Sequence, residues 1–296
     1  MKLRALILSV FLVLPNMVFA EAASSDSDED AYYKWANSVW ESLDRQTGKI
    51  ELPSAIATLH IPEDFYYLST TDSETVLVDV WGNPPGQNTL GMIFPAGSTP
   101  FDNDSWAVTI QYEEDGYVSD SDANDIDYTE LLEQMQSDTR SESQDRVDQG
   151  YEPIELIGWA AAPHYDSQTH KMYWAQEIKF GADEVNTLNY NIRVLGRKGV
   201  LVLNFIAAMD QKQLIESKLD SVLALAEFDQ GSKYSDFDSS TDKMAAYGLG
   251  ALVAGKVAAK TGLLAAALIF LKKFGLVLVV GVGAFFKKLF KRKKDK

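Results

Sequence analysis

The chain has 296 residues, no cysteine, and 43 acidic against 27 basic residues, for a formal net charge of −16. Without cysteine there is no thiol nucleophile, disulfide, thiolate-bound zinc or iron–sulfur cluster. The charge is segregated: residues 1–20 carry +2, residues 21–243 carry −28 and residues 244–296 carry +10. An acidic body of that kind repels phosphate backbones, which argues against nucleic acid as a partner.

Residues 1–20 have the pattern of a secretory signal. Lys2 and Arg4 form a charged start, residues 6–14 form the apolar stretch, and Val18 and Ala20 place small residues before a cut after Ala20. Residues 21–30 are Ala, Ser and acid only, an acidic tether. Tyr32, Trp35, Ala36, Val39, Trp40 and Leu43 recur at helical spacing, which predicts an amphipathic helix over 30–44. Strands are expected at 49–52, 57–61, 76–81, 90–94 and 106–112, with a rigid loop from Gly82 to Gly86. Asp127, with Glu130 three residues later, predicts the capped start of a helix over 127–143. Strands follow at 154–159, 171–180, 187–195 and 200–207, the last two joined by a turn at 196–199, and then a helix over 211–227. Strands, helix, strands, helix predicts an α+β domain over 31–235, a mostly antiparallel sheet flanked by helices.

The C-terminal zone predicts an apolar helical membrane anchor. Residues 274–286 are an unbroken apolar run of 13, about 20 Å as a helix. Lysines 272, 273, 287 and 288 flank it and can snorkel to lengthen its reach. The earlier stretch 244–271 has 28 residues but contains Lys256 and Lys260, each costing about 3 kcal/mol at mid-bilayer. The basic tail 287–296 belongs in the cytoplasm by the positive-inside rule. After a cleaved signal, one crossing satisfies that rule; a two-helix hairpin with an exported tail is the alternative. Ala246, Gly250, Ala254, Ala258 and Gly262 recur every four residues, a flat stripe suited to homo-oligomer packing through this helix.

Chemistry is sparse. Asn189, Asn191 and Arg193 alternate onto one face of a strand, the best ligand-contact candidate in the chain; if that face is buried, Arg193 needs an acidic partner. The loop holding Glu113, Asp115, Asp120 and Asp122 offers hard oxygen ligands for calcium, although it lacks the EF-hand glycine and final glutamate. His164, Asp166 and His170 match no zinc spacing, and His60 falls in a strand. No nucleophile elbow, phosphate loop or dinucleotide fingerprint occurs, and no cofactor is implied. These features suit a non-enzymatic, membrane-anchored extracytoplasmic protein that binds or scaffolds an envelope partner and contacts membrane lipid. An acidic-residue envelope hydrolase, with or without calcium, and a protein acting on membranes through its C-terminal helices are the alternatives.

Several phrases together resemble a known family. They are Val80-Trp81-Gly82-Asn83-Pro84-Pro85-Gly86, the run from Tyr112 to Asp120, Ile126-Asp127-Tyr128, Gly158-Trp159 with Pro163-His164-Tyr165-Asp166, the run from Leu188 to Arg197, and Ala245-Ala246-Tyr247-Gly248-Leu249. The chain resembles, over roughly residues 35–290, the bacterial predicted membrane-anchored proteins called domain of unknown function 2167. The resemblance implies an exported, C-terminally anchored protein and carries no assigned activity or site residue. In strand and helix order the chain is also similar to the PsbP/Mog1-like α+β fold, which implies a binding or assembly role.

Overall fold

The computed structural model describes residues 26–52 and 57–254. In chain order the elements are α1 (Asp26–Ser42), β1 (Gly48–Glu51), β2 (Ala57–Ile61), β3 (Phe65–Ser69), α2 (Thr70–Glu74), β4 (Gly91–Pro95), β5 (Ala107–Glu113), β6 (Tyr117–Ser119) and α3 (Tyr128–Asp148). There follow β7 (Ile154–Asp166), β8 (Lys171–Phe180), β9 (Thr187–Leu195), β10 (Val200–Ala208), α4 (Lys212–Leu223), β11 (Ala226–Phe228), β12 (Met244–Gly248) and α5 (Leu249–Ala254).

Seven strands form the main sheet in the order β3-β4-β5-β10-β9-β8-β7, and every pairing in it is antiparallel. A smaller antiparallel sheet, β1-β2-β11, lies beside it. One face of the main sheet is apolar throughout its centre. Leu188, Ile192, Leu201, Leu203, Phe205, Val108 and Ile110 pack there with Leu59 and Ile61 of β2 and with Ile215, Val222 and Leu223 of α4. The opposite face carries three separate apolar patches. One joins β3 and β4 to Val76, Leu77 and Trp81. Another joins β7 and β8 to Met135 of α3 and Val253 of α5. The third joins Leu195, Val200 and Val202 to Val118, Leu249 and Leu252.

The α+β architecture agrees with the sequence reading, and several elements differ in detail. The strand expected at 76–81 is a π-helix, Thr75–Val80. Its β-branched alternation suggests a strand, but Ser69 caps α2 through Asp72 N, and Trp81 N donates to Val76 O at 2.9 Å, so the helix runs on. Val76 and Leu77 are then buried as a helical pair. β3, unforeseen in the sequence, pairs with β4. β7 runs seven residues past 159 because register shifts accommodate Ala160 to Pro163. The last internal helix stops at Leu223, and β11 takes the residues beyond it to pair with β2. Helix α1 starts at Asp26, so part of the expected tether is helical.

The C-terminal helix expected from 244 begins instead at Leu249. Residues 244–248 are a strand parallel to β6. Ala246 therefore stands exposed on a strand and does not share a helical stripe with Gly250 and Ala254. Ala258, Gly262, the signal-like segment 1–20, the run 274–286 and the tail 287–296 lie outside the described residues. Among the described residues no helix is long and apolar enough to cross a membrane.

Candidate ligand-binding face

Antiparallel register aligns one polar residue from each of several adjacent strands. Trp174, Asn191, Asn204 and Thr109 form a row across β8, β9, β10 and β5. Beside it run Gln176-Asn189-Ile206-Ala107 on one side and Met172-Arg193-Val202-Gln111 on the other. Alternation forces these side chains onto the face opposite the apolar core. Central strands covered on both faces normally read as continuous apolar runs. Here the middle of the sheet has a floor of amides, a hydroxyl and a guanidinium, set between the apolar patches. Thr109, Trp174, Asn189, Asn204, Gln176 and Asn191 are buried, with relative exposure from 1% at Thr109 to 7% at Asn191, while Arg193 and Gln111 are half-buried.

Arg193 organises this floor. Its Nη1 donates to Asn204 Oδ1 at 2.9 Å and to Ile192 O at 3.2 Å, and its Nη2 reaches Asn191 Oδ1 at 3.5 Å. Its Cζ lies 4.7 Å from the centre of the Trp174 ring, a cation–π distance. Burial pulls the guanidinium pKa down to about 10, and the Glu113 carboxylate and then Tyr247 oppose that shift. The carboxylate that acts most strongly on the half-buried Arg193 is that of Glu113, at the end of β5. Asn191 Nδ2 donates to Gln176 Oε1 at 3.2 Å and to Asn189 O at 3.0 Å. Gln111 Nε2 donates to Gln87 O at 2.6 Å, and Gln87 Nε2 to Pro84 O at 2.7 Å. Those two bonds hold the chain after Gly82 against the β5 side of the floor.

Four buried side-chain atoms in this region have no hydrogen-bond partner: Trp174 Nε1, Asn189 Nδ2, Thr109 Oγ1 and Gln87 Oε1. Trp174, Asn189 and Thr109 belong to the floor itself, and Gln87 is bonded to it. Leaving a buried polar atom unpaired costs about 1–3 kcal/mol, so a set of them on one face is where a ligand would be rewarded. Trp174 and Thr109 stand three strand spacings apart, about 14 Å at about 4.8 Å each.

The carboxylates of the acidic loop have separate partners. Glu113 faces Arg193, while Tyr247 Oη donates to Asp115 Oδ2 at 2.7 Å. Tyr165 Oη donates to Asp120 Oδ2 at 2.8 Å, with His170 Nδ1 3.8 Å from the same oxygen. Asp122 accepts from the backbone N–H groups of Leu249 and Gly250 at 3.0 and 3.3 Å, capping α5. The four side chains serve four different partners, and among the described residues no group of three or more acidic or histidine side chains is arranged to hold a metal. The loop is a dock for the strand β12 and helix α5. A Cβ on Gly248 would meet the Asp122 carboxylate, which would have to shift from its place over α5.

The remaining candidates disperse. His164 lies on β7, Asp166 accepts from Gln168 N and Thr169 Oγ1 in the following turn, and His170 sits against the Tyr234 ring at 4.1 Å. His60 lines a separate surface cavity of about 490 Å³ with Asp229, Lys233 and Asp236. Trp81, Trp106 and Trp174 are buried. Sequence alternation brings out Asn189, Asn191 and Arg193. It misses Trp174, Gln176, Asn204, Thr109 and Gln111, whose signal is one polar residue inside an apolar strand and which only register assembles.

No curated relative matches the chain by sequence. Among solved structures, the cyanobacterial PsbP (CyanoP) from Synechocystis sp. PCC 6803 is 12% identical, covers 64% of this chain and 93% of its own, and has a TM-score of 0.35. The Saccharomyces cerevisiae Ran-binding protein Mog1p is 9% identical, covers 67% of this chain and 100% of its own, and has a TM-score of 0.26. These likenesses concern the order of strands and helices, and nothing about ligand or partner follows from them. A family model matches residues 44–283, and by that match the chain belongs to the family described as Protein of unknown function (DUF2167).

Proposed function

We propose that this chain is a binding protein of the bacterial envelope, anchored in the inner membrane by its C-terminal apolar segment, with the acidic α+β domain outside the cytoplasm. The observation that carries the binding role is the buried polar floor with its unpaired atoms around Arg193. A sheet centre that serves only stability has no use for such a floor, since apolar residues of similar volume cost nothing in unpaired groups. The signal-like start and the apolar, basic end support the anchoring. The dock made by the acidic loop holds residues 244–254 against the domain, on the N-terminal side of the apolar run 274–286. The basic tail adds attraction to anionic lipid.

The absence of native cysteine makes the location testable with single-cysteine variants. Ser240→Cys, on the exposed surface, is expected to react with a membrane-impermeant maleimide once the outer membrane is opened. Asp295→Cys is expected to react only after the inner membrane is permeabilised. Labelling of both together, or of Asp295→Cys alone, overturns the single-crossing arrangement.

A further inference from the structure

We infer that the polar floor takes an uncharged, polyhydroxylated ligand of the saccharide or polyol kind; this rests on the reading of the chain as a binding protein. The unpaired atoms set the chemistry. Trp174 Nε1 and Asn189 Nδ2 donate only, Gln87 Oε1 accepts only, and the Thr109 hydroxyl does either. A ligand that meets donors at the β8–β9 end and the Thr109 hydroxyl and Gln87 acceptor at the β5 end, about 14 Å away, must itself carry both, and a hydroxyl group is both at each position.

Charge excludes the other classes. The guanidinium of Arg193 is already engaged by Asn204, Ile192 O and Asn191 and faces Glu113. An anion would enter beside Glu113 and Asp115 in a body of strongly negative charge, with that cation already compensated. A cation would need a carboxylate, and those at this end hold Arg193 and Tyr247. Neutral amides, an indole N–H and a hydroxyl are the groups left to bind.

The test is thermal unfolding of the full chain in mild detergent, with cellobiose, chitobiose and sorbitol as neutral probes and phosphate and citrate as anionic ones. A neutral probe is expected to raise the melting temperature by about 3 °C and to saturate at millimolar concentration. Saturation separates binding from the general exclusion of sugars from protein surfaces. The rise is expected to vanish in Asn189→Leu and Thr109→Val. Without any probe, Thr109→Val is expected to melt about 2–4 °C higher than the parent chain, because a methyl replaces an unpaired hydroxyl. If Thr109→Val melts higher but only the anions stabilise the parent, or no probe does, the ligand class is overturned and the binding reading stands. If Thr109→Val melts lower, the hydroxyl is partnered in the free protein and the binding reading falls with the ligand class.

Discussion

Strands β5, β10 and β9 present two unlike faces to the rest of the molecule. On one, Val108, Ile110, Leu201, Leu203, Phe205, Leu188 and Ile192 are fully buried and meet α4 and the small sheet. On the other, one residue along each strand, Thr109, Gln111, Asn204, Asn189, Asn191 and Arg193 occupy the equivalent positions. Backbone, strands and hydrogen-bond ladder are common to both. The difference teaches that the centre of these strands is held mainly from one side, and that the other side, between its apolar patches, is free to carry polar groups that work against stability. Binding sites tend to be placed where a rigid scaffold can bear that cost.

The largest expected effect comes from the apolar face. Phe205 is fully buried, its ring 5.9 Å from that of Trp106 and 6.4 Å from that of Tyr190. Phe205→Ala is expected to cost about 3–5 kcal/mol in urea unfolding. A loss under about 1 kcal/mol, a value typical of well-tolerated swaps, would mean that this face is not what holds the sheet.

The next effect tests the charge on the polar face. Arg193→Met removes the cation that faces Glu113 and takes a donor from Asn204. Breaking a fully buried pair costs about 3–5 kcal/mol; because Arg193 is only half-buried, about 2 kcal/mol is expected. Adding Glu113→Gln to that variant is expected to recover part of the loss, since the carboxylate then no longer acts on a site from which its cation has been removed. Equal stability of the single and double variants would show that Glu113 finds its compensation elsewhere.

How much of this could be read from the sequence depends on the range of the interaction that decides each element. Helical spacing around Trp35 and Trp40, the Asp127 cap and the turn between Leu195 and Val200 are local, and the structure agrees with them. The alternation of Asn189, Asn191 and Arg193 is local too, so the β9 part of the floor was legible. The rest lies on β8, β10 and β5, between 15 and 82 residues away in sequence for the Asn191–Gln176 bond and the Thr109–Asn191 row. The partners of the acidic loop were hidden for the same reason. Its carboxylates are close in sequence, but Asp122 is committed to Leu249, 127 residues away, and Asp115 to Tyr247, 132 residues away. The π-helix at Thr75–Val80 was hidden because its β-branched residues alternate as a strand would, while the cap that starts it belongs to the preceding helix.

The smallest expected effect concerns the cover on the polar side. Glu142 lies on α3, the helix that closes the β7–β8 patch, and burial pushes its carboxyl up to about 7. Arg146 opposes that shift, and Asp145 and Asp138 add to it. The folded chain therefore keeps this proton up to about pH 7, whereas the unfolded chain releases it near the ordinary value of 4.5. Between those values the folded state binds more protons, so stability falls as pH rises through the window and stays low above it. Glu142→Gln removes the titration. The variant is expected to match the parent chain at pH 4 and to exceed it by about 1 kcal/mol at pH 8, read from urea midpoints at the two pH values. A parent chain as stable as the variant at pH 8 would mean that Arg146 fully offsets the burial. The polar side of the sheet would then have a cover as well matched as the apolar side, and the contrast between the two faces would rest on the floor alone.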